Sequence, residues 1–265
     1  MTASAPSPPE NAGTGTDSDV PARDPGTLPE TQVRAMFDRI AGVYDRMNAV
    51  MTAGLHHHWR RRAVDLSGVG PGGRVLDVAT GTGDLALELA RRVAPGGSVI
   101  GADFAPRMLE LADEKASAAR RRGELPDGVQ LRFETANALA LPYEDDAFDA
   151  ATVGFGARNF SDLDAGLAEM VRVVAPGGRV VVLEITTPTG PPLSTFLDVW
   201  FDHVVPVLGR LAGDADAYNY LPNSVRRFPP PEALAAIMWR TGLRSVRYVI
   251  TAGGIIALHV GEVPR

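Results

Sequence analysis

The chain has no cysteine among its 265 residues. That excludes disulfides, thiolate catalysis and cysteine-held zinc or iron–sulfur centres. It has no apolar run near the ~18 residues a membrane span needs, and no apolar signal core at its N-terminus. Basic residues are in deficit: 26 Lys and Arg against 32 Asp and Glu leave a net charge of −6. This argues against a nucleic-acid partner, whose phosphates call for a basic face. These absences are compatible with a cytoplasmic protein. What remains is ordinary for a soluble globular chain, 45% apolar and 22% charged, and long enough for one α/β domain with additions and a large core. Residues 1–30 are rich in Pro, Ser, Thr, Gly and Ala and poor in large apolar side chains. Such a segment cannot repay its ordering entropy, so a disordered tail is expected, with order beginning near Thr31.

Apolar spacing predicts helices over Thr31–Met51 and Leu55–Leu66. Strands and helices then alternate: strand 74–79, helix 84–93, strand 98–102, helix 106–121, strand 129–134, strand 148–153 and helix 162–174. The turn Ala175-Pro-Gly-Gly178 and strand 179–185 follow. Alternation of this kind means βαβ units and a parallel sheet with right-handed crossovers. The rest breaks the rhythm. A long apolar-aromatic helix is expected over Leu193–Leu211, a polar aromatic loop over Tyr218-Asn-Tyr-Leu-Pro222, and a helix over 231–241. Strands 245–250 and 255–260, joined by Thr251-Ala-Gly-Gly254, should form an antiparallel hairpin.

The most informative stretch is Arg74-Val-Leu-Asp-Val-Ala-Thr-Gly-Thr-Gly-Asp84, a buried strand running through a glycine turn into a helix. Gly81 and Gly83 lack a Cβ and leave bare backbone for a ligand. About 20 residues on, the run Ser98-Val-Ile-Gly-Ala ends in Asp103, where a carboxylate holds a ribose diol in nucleoside-binding α/β folds. A nucleoside cofactor follows. The turn alone also satisfies a dinucleotide pattern through Gly81-Thr-Gly-Asp-Leu-Ala86, so an NAD-dependent oxidoreductase stays open at this point.

Further segments narrow the choice: Ala136-Asn-Ala-Leu-Ala-Leu-Pro-Tyr-Glu-Asp-Asp-Ala-Phe-Asp149, Gly154-Phe-Gly-Ala-Arg-Asn159 and Val173-Val-Ala-Pro-Gly-Gly178. With them the chain resembles class I S-adenosylmethionine-dependent methyltransferases. Within these it is similar to the quinone-biosynthesis C-methyltransferases of the UbiE/MenG type, the demethylmenaquinone methyltransferases. The resemblance runs from about Val33 to Val260. Its most specific parts are Met36-Phe-Asp-Arg-Ile-Ala-Gly-Val-Tyr-Asp-Arg-Met-Asn48 and Phe155-Gly-Ala-Arg-Asn159, the latter with Ala157 where leucine is commoner. Two positions depart from the pattern. Ala79 stands in place of the turn's first glycine, tolerable if its methyl packs toward the sheet, and Gly154 stands where the family often has serine.

The resemblance implies a Rossmann-like α/β fold: a seven-stranded, mostly parallel sheet ending in an antiparallel hairpin, with helices on both faces. Residues 31–265 would form a single domain with a helical lid (31–66) and a helical insertion (193–241). It implies S-adenosylmethionine as cofactor, S-adenosylhomocysteine as product, and no metal. Gly81 and Gly83 would face the methionyl part, with Asp77 and Thr82 near its amino and carboxylate ends. Asp103 would accept from the ribose, Asn137 and Ala138 would flank the adenine, and Gly154 would offer a backbone contact. Asp77 has a second reading as a strand-end carboxylate bonding the glycine turn, and Asn137 one as a turn residue.

The implied acceptor is a polyprenyl quinol, since a quinone ring is an electrophile and only its reduced form offers a nucleophilic carbon. Arg158, with Asn159 beside it, is the candidate for stabilising the ring phenolate; the competing reading pairs Arg158 with Asp162 or Asp164 at the surface. Tyr44 and Asp45 could close over the site, with core packing the other reading of Tyr44. Tyr218, Tyr220 and His203 are lesser candidates. His56, His57 and His58 are adjacent and point apart, which disfavours a metal site. Demethylmenaquinol is the favoured substrate; a methyltransferase for another small phenolic molecule, and a non-catalytic cofactor-binding protein, are the alternatives. Peripheral contact with the inner face of a membrane and a homo-oligomer are further expectations.

Overall fold

The computed structural model describes residues 29–52, 54–188, 190–205 and 215–265. All but two residues of the expected tail, and Val207, Leu208 and Leu211 of the expected long helix, lie outside them. Helices α1 (Glu30–Thr52) and α2 (His56–Ser67) precede β1 (Arg74–Val78). Then come α3 (Asp84–Val93), β2 (Ser98–Asp103), α4 (Pro106–Arg121), β3 (Gln130–Thr135), β4 (Phe148–Gly154), α5 (Leu163–Arg172) and β5 (Val174–Ile185). Helices α6 (Leu193–Val199), α7 (Ala215–Arg227) and α8 (Pro231–Arg240) lead to β6 (Arg244–Thr251) and β7 (Ile256–Glu262).

The seven strands form one sheet in the order β3-β2-β1-β4-β5-β7-β6. Neighbours pair in parallel except along β7, which is antiparallel to both β5 and β6. The hairpin therefore does not trail off the edge: β7 slots between β5 and β6. Both faces are covered, so the central strands read as nearly continuous apolar runs. Val75, Val99, Val181, Leu183 and Leu258 pack on the side of α2 and α3. Leu76, Val78, Ile100, Val153 and Val182 pack on the side of α5 and α8. A third cluster joins α1 to the start of α4 and to α6 and α7, through Val33, Met36, Met108, Leu197, Phe201 and Val225.

Three elements differ from expectation. The turn at 175–178 sits within the span of β5: pairing jumps from Phe148↔Val174 to Ala150↔Arg179, so the Pro-Gly-Gly segment loops out while the strand continues. The long helix from Leu193 gives way after Val199 to a π-helical turn, Trp200–Val204. The expected loop around Tyr218–Pro222 is helical, α7 running straight through Pro222. An internal proline costs about 3 kcal/mol. Burial of Tyr220, Ser224 and Val225 against the neighbouring helices outweighs it.

Candidate active site

The order reverses at β1, which has β2 on one side and β4 on the other. Crossovers leave in opposite directions there, so a crevice opens beyond the C-terminal ends of β1 and β4. A groove occupies it, lined by Asp77 and Thr80–Thr82 from β1 and its turn, Asp103 from β2, Asn137 and Ala138 after β3, and Gly154 and Asn159 after β4. Glu30, Phe37 and Tyr44 of α1 lie across the top. The structure thus brings together nine of the eleven sequence-selected residues: Tyr44, Asp77, Gly81, Thr82, Asp103, Asn137, Ala138, Gly154 and Asn159.

The turn is held from both sides. Asp77 is buried; its carboxylate accepts from the hydroxyls of Thr80 (2.6 Å) and Thr152 (2.7 Å). Burial pushes it up to about 6, against the pull of those two hydrogen bonds. Asp103 accepts from the Gly81 amide (2.8 Å) and the Ala105 amide (2.9 Å), tying the tip of β2 to the turn. It too is pushed up to about 6 by burial, opposed by the backbone donors. Gly81 has a φ of +56°, and a Cβ built on it meets nothing within 4 Å, so its backbone is bare toward the groove. Gly83 is different. It caps α3 at φ +81°, outside the groove, and a Cβ there would lie 2.8 Å from the Phe133 ring and 3.0 Å from Ala112. Its missing Cβ makes room for that ring and that methyl.

Asn137 uses its side chain locally. Its Oδ1 accepts from the Leu139 amide (2.9 Å) and its Nδ2 donates to Glu30 of α1 (2.8 Å), so the turn reading holds alongside its place in the groove. Thr82 donates to Asp45 (2.6 Å), and Lys115 bridges Asp45 (2.6 Å) and Asp84 (2.5 Å). Together Glu30–Asn137 and Asp45–Thr82 clamp α1 over the groove. About 70 Å³ is enclosed beneath it, well short of the roughly 300 Å³ of a small-molecule site. Ala79 has a φ of +51°, and its methyl occupies the space that a Cβ on Gly156 would need, 2.6 Å away. A serine at Gly154 would press only on the end of Leu85, 3.0 Å off.

Arg158 is not at the surface. Its side chain is 7% exposed and pairs with Glu184, itself 1% exposed, at 3.0 Å; it also donates to the Phe155 carbonyl. Asp162 caps α5 and Asp164 pairs with Arg240, which removes the surface reading. Burial raises the Glu184 carboxyl despite Arg158, and Glu184 in turn holds the guanidinium charged. Arg158 faces a second cavity of about 460 Å³, walled largely by apolar groups including Met36, Ile40, Trp59, Leu197 and Phe201. Its buried Nε has no hydrogen-bond partner among the described residues, nor has Asn159 Oδ1 in the first groove. Tyr220 and His56 also line the second cavity. His56 is pushed down to about 4 by burial and by Arg60, so it is neutral at pH 7. His203 is exposed and lines neither cavity, and the Tyr218 side chain lies outside the described residues.

The two spaces share a wall of Phe37, Tyr44, Arg60 and Phe155. Phe155 sits at φ +60°, a strained position for a bulky residue, of the kind that gathers at functional sites. Arg60 is buried and lies 3.0 Å from Asp84. Sequence reading gives no role to Arg60 or Glu184, and Phe155 enters only as the first residue of a signature. Glu184 leaves a trace, a lone carboxylate in the apolar run Val180-Val-Val-Leu-Glu-Ile185.

The lining of the donor groove, though not the volume enclosed while α1 is clamped over it, suits an adenosyl sulfonium. It offers bare backbone at Gly81, a ribose-height carboxylate at Asp103, and an orphaned acceptor, Asn159 Oδ1, that a ligand ammonium would satisfy. Solved structures support the fold. The [4+2]-cyclase SpnF superposes with a TM-score of 0.65 at 20% identity, covering 90% of this chain and 97% of that one. A SAM-dependent methyltransferase from Thermotoga maritima gives 0.57 at 19% identity, covering 86% and 98%. One is a cyclase, so the fold alone leaves the reaction open. Sequence relatives are closer. The chain is 50% identical to a demethylmenaquinone methyltransferase of Thermus thermophilus over 86% of its own length and 100% of that protein. It is 46% identical to one of Deinococcus radiodurans (87% and 92%), and 41% identical to the ubiquinone/menaquinone biosynthesis C-methyltransferase UbiE of Hahella chejuensis (89% and 93%). The profile of the ubiE/COQ5 methyltransferase family matches residues 26–263, and the chain belongs to that family.

Proposed function

We propose that this S-adenosylmethionine-dependent C-methyltransferase methylates a ring carbon of a polyprenyl quinol, converting a demethylmenaquinol to a menaquinol. The observation that carries the reading is the shared wall: a polar nucleoside groove and an apolar cavity with a buried arginine meet at Tyr44, Arg60 and Phe155. The names of the relatives point the same way.

S-adenosylmethionine, when bound, supplies an electrophilic methyl on a charged sulfur. In this reading Gly81, Thr82 and Asp77 position its methionyl end, Asp103 its ribose, and Asn137 and Ala138 its base, with Gly154 a backbone contact. Helices α1 and α2 act as a lid that excludes water. On the acceptor side, the unpaired Nε–H of Arg158 calls for an oxygen, since a buried charged donor without a partner is costly. A quinol hydroxyl satisfies it, and as that hydroxyl loses its proton the guanidinium stabilises the oxyanion. Charge flows to the adjacent ring carbon, which takes the methyl and leaves S-adenosylhomocysteine behind; the ring hydrogen then departs to solvent as a proton while the oxygen regains the proton it gave up, so one proton is released overall. Glu184 fixes the guanidinium, and Tyr44 lies between donor and acceptor. Holding the two at near-attack distance supplies several kcal/mol. The remaining apolar wall takes the first units of a prenyl tail, and a bilayer-borne substrate makes peripheral membrane contact part of the same reading.

Incubation with the methyl donor and a panel of reduced acceptors tests this. A demethylnaphthoquinol should gain 14 mass units faster than a demethylbenzoquinol or a small phenol. Turnover confined to the small phenol contradicts it.

A further inference from the structure

We propose that the mouth of the apolar cavity is a docking surface for an anionic bilayer leaflet, built from the outward face of α6 and the outward face of α2. The proposal rests on the quinol reading for its purpose but not for its evidence.

Four large apolar side chains are exposed around this mouth: Leu55 and Phe196, both 54% exposed, Val199 at 50% and Leu193 at 37%. Leu55 and Phe196 also line the cavity, so the exposed rim is continuous with the apolar interior. On α6, Leu193, Phe196 and Val199 recur at three-residue steps and so share one face. Phe196 stacks on Trp200, 6.0 Å between ring centres, which splints the rim. Two acidic residues of this segment, Asp198 and Asp202, are also exposed, and both pair with Arg226, which offsets their charge.

Charge decides what covers the rim. The chain carries −6 overall, yet residues 56–62, which leave the rim directly after Leu55, read His-His-His-Trp-Arg-Arg-Arg without one acidic side chain. Trp59 and Arg60 turn inward, whereas His57, His58, Arg61 and Arg62 are exposed. Leu55, His58 and Arg62 fall on one stripe of α2. Arg61 and Arg62 have no ion-pair partner among the described residues. An apolar rim flanked by cations on a short amphipathic helix is the composition that settles at a headgroup boundary. No helix among the described residues is long and apolar enough to cross a membrane, so any contact here lies along the surface. An acidic protein partner would match the arginines, but not an apolar rim that opens into a 460 Å³ cavity.

Sedimentation of the full chain with phosphatidylcholine vesicles, with and without roughly one-third phosphatidylglycerol, tests the surface. Binding is expected to the anionic vesicles, to weaken as salt is raised, and to be near background on neutral ones. Each arginine near such a leaflet is worth roughly fivefold in partition, so Arg61→Glu with Arg62→Glu should lower it by at least about 25-fold. Val199→Glu should lower it roughly tenfold. Thermal melts of both variants confirm the fold, and the two variants sit on different elements, so a failure to fold in one leaves the other decisive. Methylation of a short-chain, water-soluble quinol is read on the same preparations and should not change. Loss of that activity in the parent chain counts against the quinol reaction; vesicle binding is judged separately. Equal pelleting of the parent and both variants overturns the proposal, as does a dimer of the parent chain that Val199→Glu dissociates.

Discussion

Ala79 and Gly156 exchange a methyl between two positions. Ala79 holds φ at +51°, which an L side chain adopts at a cost of about 1 kcal/mol. Gly156 stands at φ −117°, where alanine is at ease, but its missing Cβ leaves room for the Ala79 methyl. Ala79→Gly should therefore raise stability by about 0.5–1 kcal/mol. Gly156→Ala alone should cost about 1–3 kcal/mol through the clash. The double variant should recover most of that loss, and a urea-denaturation cycle reads the coupling directly. Additive single effects would refute the exchange.

Asp77 and Asp103 carry a pH signature. Both are pushed up to about 6 by burial, so between pH 3.8 and about 6 the folded chain binds more protons than the unfolded one. These two groups therefore take stability away as pH rises through that window, each by up to about 3 kcal/mol. Asp77→Asn should flatten the decline in the ligand-free chain, because its partners Thr80 and Thr152 are hydroxyls that donate or accept equally well. A parallel fall with pH in parent and variant would contradict this. Gly81 and Asp103 were legible from sequence because spacing along one strand–turn–helix unit fixes them. Glu184 and Arg60 were not. Their meaning depends on partners 26 and 24 residues away, and no periodicity encodes that pairing. Gly83 was legible as glycine, but its packing against the Phe133 ring from β3 was not.

At the scale of elements, helix–strand alternation through β5 followed from local pattern, and boundaries moved by only a residue or two except at β5, which begins at Val174 rather than at 179. The misses are tertiary. The apolar character of β7 reflects two flanking strands, a consequence of insertion that the hairpin alone did not reveal. Proline and the polar run Tyr218-Asn-Tyr220 suggested a loop where packing imposes α7. The π-turn after α6 carries Trp200 and Phe201 into the apolar cavity, a turn of the kind that often marks functional sites. The proposed lid belongs to this scale. Asp45 is bonded to Thr82 and paired with Lys115, so Asp45→Ala should loosen α1 over the groove. Loss of one charge-assisted contact of about 1.5 kcal/mol predicts a roughly tenfold faster release of S-adenosylhomocysteine. Stopped-flow displacement reads the rate, and an unchanged rate would leave α1 without a latch.

For the whole molecule, one arrangement accounts for the rest. The sheet reversal places a polar groove at its crest, the helical additions build an apolar cavity beside it, and Tyr44, Arg60 and Phe155 stand between them. Arg158 supplies a charge inside the apolar half, and its removal should leave cofactor affinity intact while lowering kcat by about 100-fold or more. Equal losses in binding and turnover of Arg158→Ala would place it elsewhere in the scheme. The central claim is that the acceptor is a reduced ring whose oxygen is held by that cation. Its most direct test supplies a demethylnaphthoquinone in oxidised and in reduced form, with a methyl-labelled donor, and locates the label by mass spectrometry and NMR. Label on the ring carbon of the reduced form alone is the predicted result; label on oxygen, or equal labelling of the oxidised form, would contradict it.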